Sequence, residues 1–132
     1  VGIGSDLYNL FLVLHLLAVV AAFGPLLVLP RLRSVDATAA ARAHLFVVMP
    51  ATVLLWVFGM GLTGLSDDVF ELTDPWIAAS LGVWVVLMGV QWFGVRGALT
   101  GRVPVRVGRA AVGASHLLYT AGIVLMIFKP GA

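Results

Sequence analysis

The stretch that decides the fold is LYNLFLVLHLLAVVAAFGPLLVL, residues 7–29, which holds 23 residues and no ionised side chain when His15 is neutral. At ~1.5 Å of rise per residue, about 20 apolar residues in a helix cross a ~30 Å hydrocarbon layer. Three further stretches of this kind follow, at residues 43–65, 76–95 and 110–128. A secretory signal peptide has an apolar region of only ~7–15 residues behind a cationic start. Here Asp6 precedes the run and no Lys or Arg does, so the segment reads as a retained helix. The sequence predicts an all-α membrane protein, a single domain over residues 1–132. Short connections favour an up-down-up-down antiparallel bundle of four transmembrane helices.

Composition points the same way. Apolar residues are 61% of the chain and charged residues 11%, against ~45–50% and ~25% in an ordinary soluble domain. Eight basic and six acidic side chains cannot cover a soluble fold of this size. The net charge of +2 does not indicate nucleic acid, because the arginines sit in two connecting stretches. Without cysteine, the chain has no disulfide, zinc ribbon, Fe–S cluster or thiol chemistry.

Those charges orient the bundle. The connection 30–42 carries Arg31, Arg33 and Arg42 against Asp36, and 96–109 carries Arg96, Arg102, Arg106 and Arg109 with no acid. The connection 66–75 carries Asp67, Asp68, Glu71 and Asp74 with no base. The positive-inside rule puts the two arginine loops in the cytoplasm, and both termini and loop 66–75 outside. Residues 97–109 read as a solvated loop whose arginines set topology, with contact to anionic lipid as the alternative. Asp74, Pro75 and Trp76 read as an N-cap, a first-turn proline and an interfacial aromatic. No repeat of 20–50 residues is visible.

Lipid does not drive helices together, so small and weakly polar residues mark their contacts. Spacings of three and four place Tyr8, Leu12, His15, Ala18 and Ala22 on one face of helix one. The corresponding faces are Thr52, Trp56, Gly59 and Thr63 on helix two, and Ser80, Trp84, Leu87 and Gln91 on helix three. On helix four the face is Gly113, His116, Thr120 and Ile123, with Tyr119 adjacent. These stripes predict a polar interior of Thr52, Thr63, Ser80, Gln91, Tyr119 and Thr120. Gly59, Gly61 and Gly64 read as close helix packing, because no strand precedes them as a phosphate loop requires. Pro25 and Pro50 withhold hydrogen bonds from the carbonyls of Ala21 and Phe46, which predicts kinks there, either static or opening an inward-facing cleft.

An imidazole at the depth of His15 is costly unless paired, metallated or hydrated. It has two readings, an axial haem ligand or a neutral ring bonded to a neighbouring helix. His116 shares its face with Gly113 and is the second candidate haem ligand. The two histidines differ in height by ~10 Å on straight helices, which opposes their holding one haem together. His44, near the start of helix two, reads as solvated or touching headgroups. Met49, Met60, Met88 and Met126 lack paired spacing, and no thiolate accompanies them. No span carries a carboxylate, and no nucleophile with its base can be assembled, so any catalysis would come from a bound cofactor.

The run from His15 through Phe23-Gly24 to Leu29-Pro30-Arg31-Leu32 resembles the first helix of HemJ-type protoporphyrinogen oxidases. Met49-Pro50-Ala51 with Trp56-Val57-Phe58-Gly59, the opening of helix three at Trp76, and the closing Lys129-Pro130 continue the likeness. An uncharacterised family of small four-helix membrane proteins and the copper-resistance D-type membrane domains look similar in the same general way. The Asp-Pro-Trp-x-x-x-Ser opening of helix three is closer to the uncharacterised family. The resemblance to the oxidases implies a haem b ligand at His15. The lysine of that family's third helix falls on Ser80, a hydroxyl with no charge to pair with a carboxylate. Arg33-Ser34-Val35-Asp36 replaces the basic and aromatic residues that follow its Leu-Pro-Arg-Leu motif. The resemblance therefore implies the fold more strongly than the oxidase activity.

Three functions follow. The first is a non-catalytic or accessory membrane component that packs against itself or within a larger membrane complex. The alternative is a haem b-binding membrane oxidoreductase with His15 as axial ligand, and the third is a metal permease or export domain. The bilayer is the common partner of all three.

Overall fold

Residues 2–131 are described in the computed structural model. Ser5 opens helix α1 (Asp6–Val35), its hydroxyl accepting the Tyr8 N–H at 3.2 Å, one of the donors that a helix start leaves without an internal partner. The helix continues through Pro25 and Pro30 and closes at Asp36, whose N–H donates to the Leu32 carbonyl at 2.7 Å. Asp36 then starts the next helix, its carboxylate accepting the Ala39 N–H at 3.0 Å. The loop expected over residues 30–42 is thereby corrected to a break at one residue. Proline removes only its own N–H, and Arg31, Leu32 and Arg33 are good helix formers that carry the helix past it.

Helices α2 (Ala37–Gly64), α3 (Pro75–Leu99) and α4 (Val105–Phe128) complete the chain, and all four are long and apolar enough to cross a membrane. The described residues contain no strand. The connection expected at 96–109 narrows to residues 100–104, because helix resumes directly after Pro104, whose extended backbone starts α4. Asp74 stands before Pro75 as expected, yet its carboxylate accepts the Glu71 N–H at 2.9 Å instead of capping α3.

Two helices contain a π-helical turn. In α2 it spans His44–Val48, with the Met49 N–H donating to the His44 carbonyl. It lies immediately before Pro50, and wrapping one extra residue is how a helix absorbs a carbonyl left without its i+4 donor. In α3 it spans Val90–Val95, with the Arg96 N–H donating to the Gln91 carbonyl.

Contacts between consecutive helices run in opposite senses. Phe11 lies against Gly61 and His15 against Gly59, between α1 and α2. His44 meets Gln91 and Trp56 stacks on Trp84, between α2 and α3. Gly94 faces Ala111 and Gly108 faces Ala98, between α3 and α4. The core where the four helices meet includes Ala22, Leu26, Leu29, Val48, Leu87, Val95 and Tyr119. Outward-facing Leu17, Val20, Leu27, Phe46, Val85, Phe93, Leu117 and Ile127 are all more than half exposed. In water such a surface would be an aggregation hazard, whereas in lipid it is the solvated face. At one end, the Lys129 ammonium lies 5.9 Å from the Phe70 ring centroid and 5.5 Å from that of Trp76.

Candidate functional site

A polar seam crosses α2, α3 and α4 through the middle of the bundle. Thr52 sits on α2 one turn past the π turn, completely buried. Its hydroxyl donates to the Val48 carbonyl at 2.8 Å and lies 2.6 Å from the Tyr119 Oη of α4. With the Thr52 proton committed to Val48, the Tyr119 hydroxyl is the donor to Thr52. The Thr52 backbone carbonyl accepts the Trp84 indole N–H of α3 at 2.9 Å. One residue of α2 thus ties both neighbours.

Further along the seam the two π turns face each other. His44 Nε2 and Gln91 Oε1 are 2.6 Å apart, and both side chains are fully buried. An amide oxygen only accepts, so His44 Nε2 carries the proton and Nδ1 holds a lone pair. That Nδ1 and the Gln91 amide nitrogen make no hydrogen bond among the described residues. The solvated position expected for His44 is corrected. Because α2 begins at Ala37, His44 lies about 10 Å inside the helix rather than at its end.

His15 occupies a separate position. Its Nδ1 donates to the Leu55 carbonyl at 2.9 Å, and its Nε2 lies 3.1 Å from Met126 Sδ. A Cβ on Gly59 would lie 3.2 Å from the imidazole, so glycine there leaves room for the ring. His116 is half-buried and lies edge-on to Phe23, with centroids 4.8 Å apart. Since His15 meets α4 at Met126, its level is about 15 Å along α4 from His116. The two candidate haem ligands are not brought together.

The remaining interior residues divide. Gln91 and Tyr119 are buried with Thr52, while Thr63 and Ser80 are half-buried and donate to the Gly59 and Trp76 carbonyls of their own helices. Thr120 is corrected from the interior to an exposed position, with its hydroxyl bonded to the His116 carbonyl at 2.8 Å. The buried face of α4 instead holds Gly108, Ala111, Val112, Ser115 and Tyr119. One residue position is a rotation of about 100°, and small residues at the α3 seam chose it. A cleft with a volume of ≈ 70 Å³ lies beside Pro30, between α1, α3 and α4.

His15 is engaged by protein atoms, whereas the buried His116 Nε2 has no hydrogen-bond partner among the described residues. Both His15 ring nitrogens meet protein atoms, and neither the cleft beside Pro30 nor the open groove between α3 and α4 borders His15. The cleft is also far below the ~300–1,000 Å³ usual for cofactor-sized ligands. Among the described residues no three His, Cys, Asp or Glu side chains cluster as a metal site would need.

The fold and seam together define a class, all-helical chains with four helices able to cross a membrane and an interior cross-linked by polar side chains. Comparison of the chain with protein-family models, curated proteins and solved structures finds no match in any of the three.

Proposed function

We propose that this chain is a small integral membrane protein with a non-catalytic or accessory role, packing against itself or within a larger membrane assembly. Its bundle is up-down-up-down, with both termini outside and the arginine-bearing connections in the cytoplasm. The reading is carried by where the buried polar side chains go. His15 bonds α1 to α2, His44 bonds α2 to Gln91 of α3, and Trp84 and Tyr119 converge on Thr52. Bonds of this kind hold helices together where apolar burial gives no drive.

The experiment is purification in mild detergent from haem-replete cells, with visible spectra before and after dithionite and native mass spectrometry from nanodiscs. A colourless protein that is oligomeric, or bound to a second membrane subunit, is the expected result. A Soret band abolished by His15→Ala would replace this reading with the haem-binding one. A colourless, strictly monomeric protein would remove the assembly role.

A further inference from the structure

The cleft beside Pro30 is built unlike the rest of the spans. Arg33 of α1 and Arg109 of α4 both border it, and no carboxylate does. The Arg33 Nη2 donates to the Ala98 carbonyl at 3.3 Å, which holds the guanidinium at the cleft wall. The two guanidinium charges line the cleft without a counter-charge, and an anion is the group that best neutralises them. The first turn of α4 lines the same cleft through Val105 and Gly108, and no side chain caps that helix start. The Val107 and Gly108 N–H groups already donate to the Pro104 carbonyl, so this helix start adds its positive dipole end to the field of the two arginines. Below the charges the wall is apolar, from Leu29 to Val112.

We infer that this cleft binds a phosphate oxyanion, held by Arg33, Arg109 and the start of α4. The volume of ≈ 70 Å³ is enough for a phosphate group. Two sources share this chemistry, the headgroup of an anionic phospholipid and free phosphate. The lipid source rests on the membrane reading above, with the acyl chain lying on the apolar wall. Basic pockets between helices at a membrane face are where such headgroups bind.

The test uses the full chain in two settings. In nanodiscs, native mass spectrometry compares retained phosphatidylglycerol with retained phosphatidylcholine. In detergent without lipid, thermal unfolding is followed with and without inorganic phosphate. Phosphatidylglycerol is expected to be preferred, with affinity falling roughly fivefold in Arg109→Gln and roughly thirtyfold in Arg33→Gln/Arg109→Gln. Arg109 makes no bond within the described protein, so its single variant reads the site without touching helix packing. The pair Arg102→Gln/Arg106→Gln, which lies outside the cleft, removes the same charge and should lose much less. Thermal protection by phosphate alone, lost in Arg109→Gln, would assign the site to free phosphate. Equal losses from the two arginine pairs, or no preference for phosphatidylglycerol and no protection by phosphate, would overturn the site. Failure of the chain to fractionate with membranes would sink the membrane reading and leave the detergent arm intact.

Discussion

Adding one methyl at Gly94 tests the closest approach in the bundle. An ideal Cβ there would sit 2.5 Å from the Ala111 Cβ and 3.9 Å from its Cα. Carbon atoms in good contact are ~3.5–4.0 Å apart, so Gly94→Ala must push α3 and α4 apart by about 1 Å. Overpacking of this kind costs about 1–3 kcal/mol, partly offset by a helix-propensity gain near 1 kcal/mol for replacing glycine. The single variant should therefore lose about 0–2 kcal/mol, a range too close to zero to decide alone. Ala111→Gly removes the opposing methyl, costs about 1 kcal/mol of propensity, and leaves the new Cβ facing only the Cα at 3.9 Å. The double variant should return close to wild type, giving a coupling of about 1–3 kcal/mol. Reversible unfolding in mixed dodecyl sulfate and maltoside micelles, read by far-UV circular dichroism, measures all four proteins. Effects that simply add, within about 0.5 kcal/mol, would show that the two helices do not meet at these residues.

Gln91→Leu leaves the His44 Nε2–H buried without an acceptor and should cost about 1–3 kcal/mol, while His44→Leu/Gln91→Leu should recover part of that loss in the same unfolding assay. If the double variant is as unstable as the sum of the two singles, the pair is not coupled. Tyr119→Phe removes the bond to Thr52 and the phenol's contact with Gln91 but leaves Thr52 bonded to Val48, so the cost should be about 0.6 kcal/mol and no more than about 1.7; a larger loss would mean the phenol also holds the His44–Gln91 pair in place. For topology, Ser34→Cys and Thr73→Cys are both exposed positions at opposite ends. An impermeant maleimide applied to intact cells should label Thr73→Cys alone, and the reverse pattern would invert the orientation.

The four spans were readable because lipid imposes one requirement, about 20 apolar residues in succession, and charges mark where it stops. Helix ends were less readable. Asp36 and Pro104 end or begin helices through their own backbone geometry, several residues from where the apolar pattern changes. The placement of Thr120 shows why polar residues mislead inside a membrane. A threonine hydroxyl can satisfy itself on the carbonyl four residues back and then needs no interior partner. The α4 seam was instead marked by size, through Gly108 and Ala111 against Ala98 and Gly94. The burial of His44 was not legible because its depth depends on a helix start at Ala37 that the charged stretch around Arg42 obscured. Its available signal was Pro50, which calls for an adjustment of the helix in the two turns upstream, a stretch that begins near His44.

The paired π turns carry a consequence for descent. Each wraps one residue more than an α-helix of the same length would use, so α2 and α3 each hold a surplus residue within the membrane. Removing one residue from His44–Val48 would restore α geometry there while leaving the helix on either side close to its present phase. Homologous chains without the pair would therefore differ by single-residue gaps inside two apolar spans, where length is usually held fixed, while their loops kept the same length. Such a gap would mark where the surplus residue was gained or lost while the packing on both sides of it stayed in place.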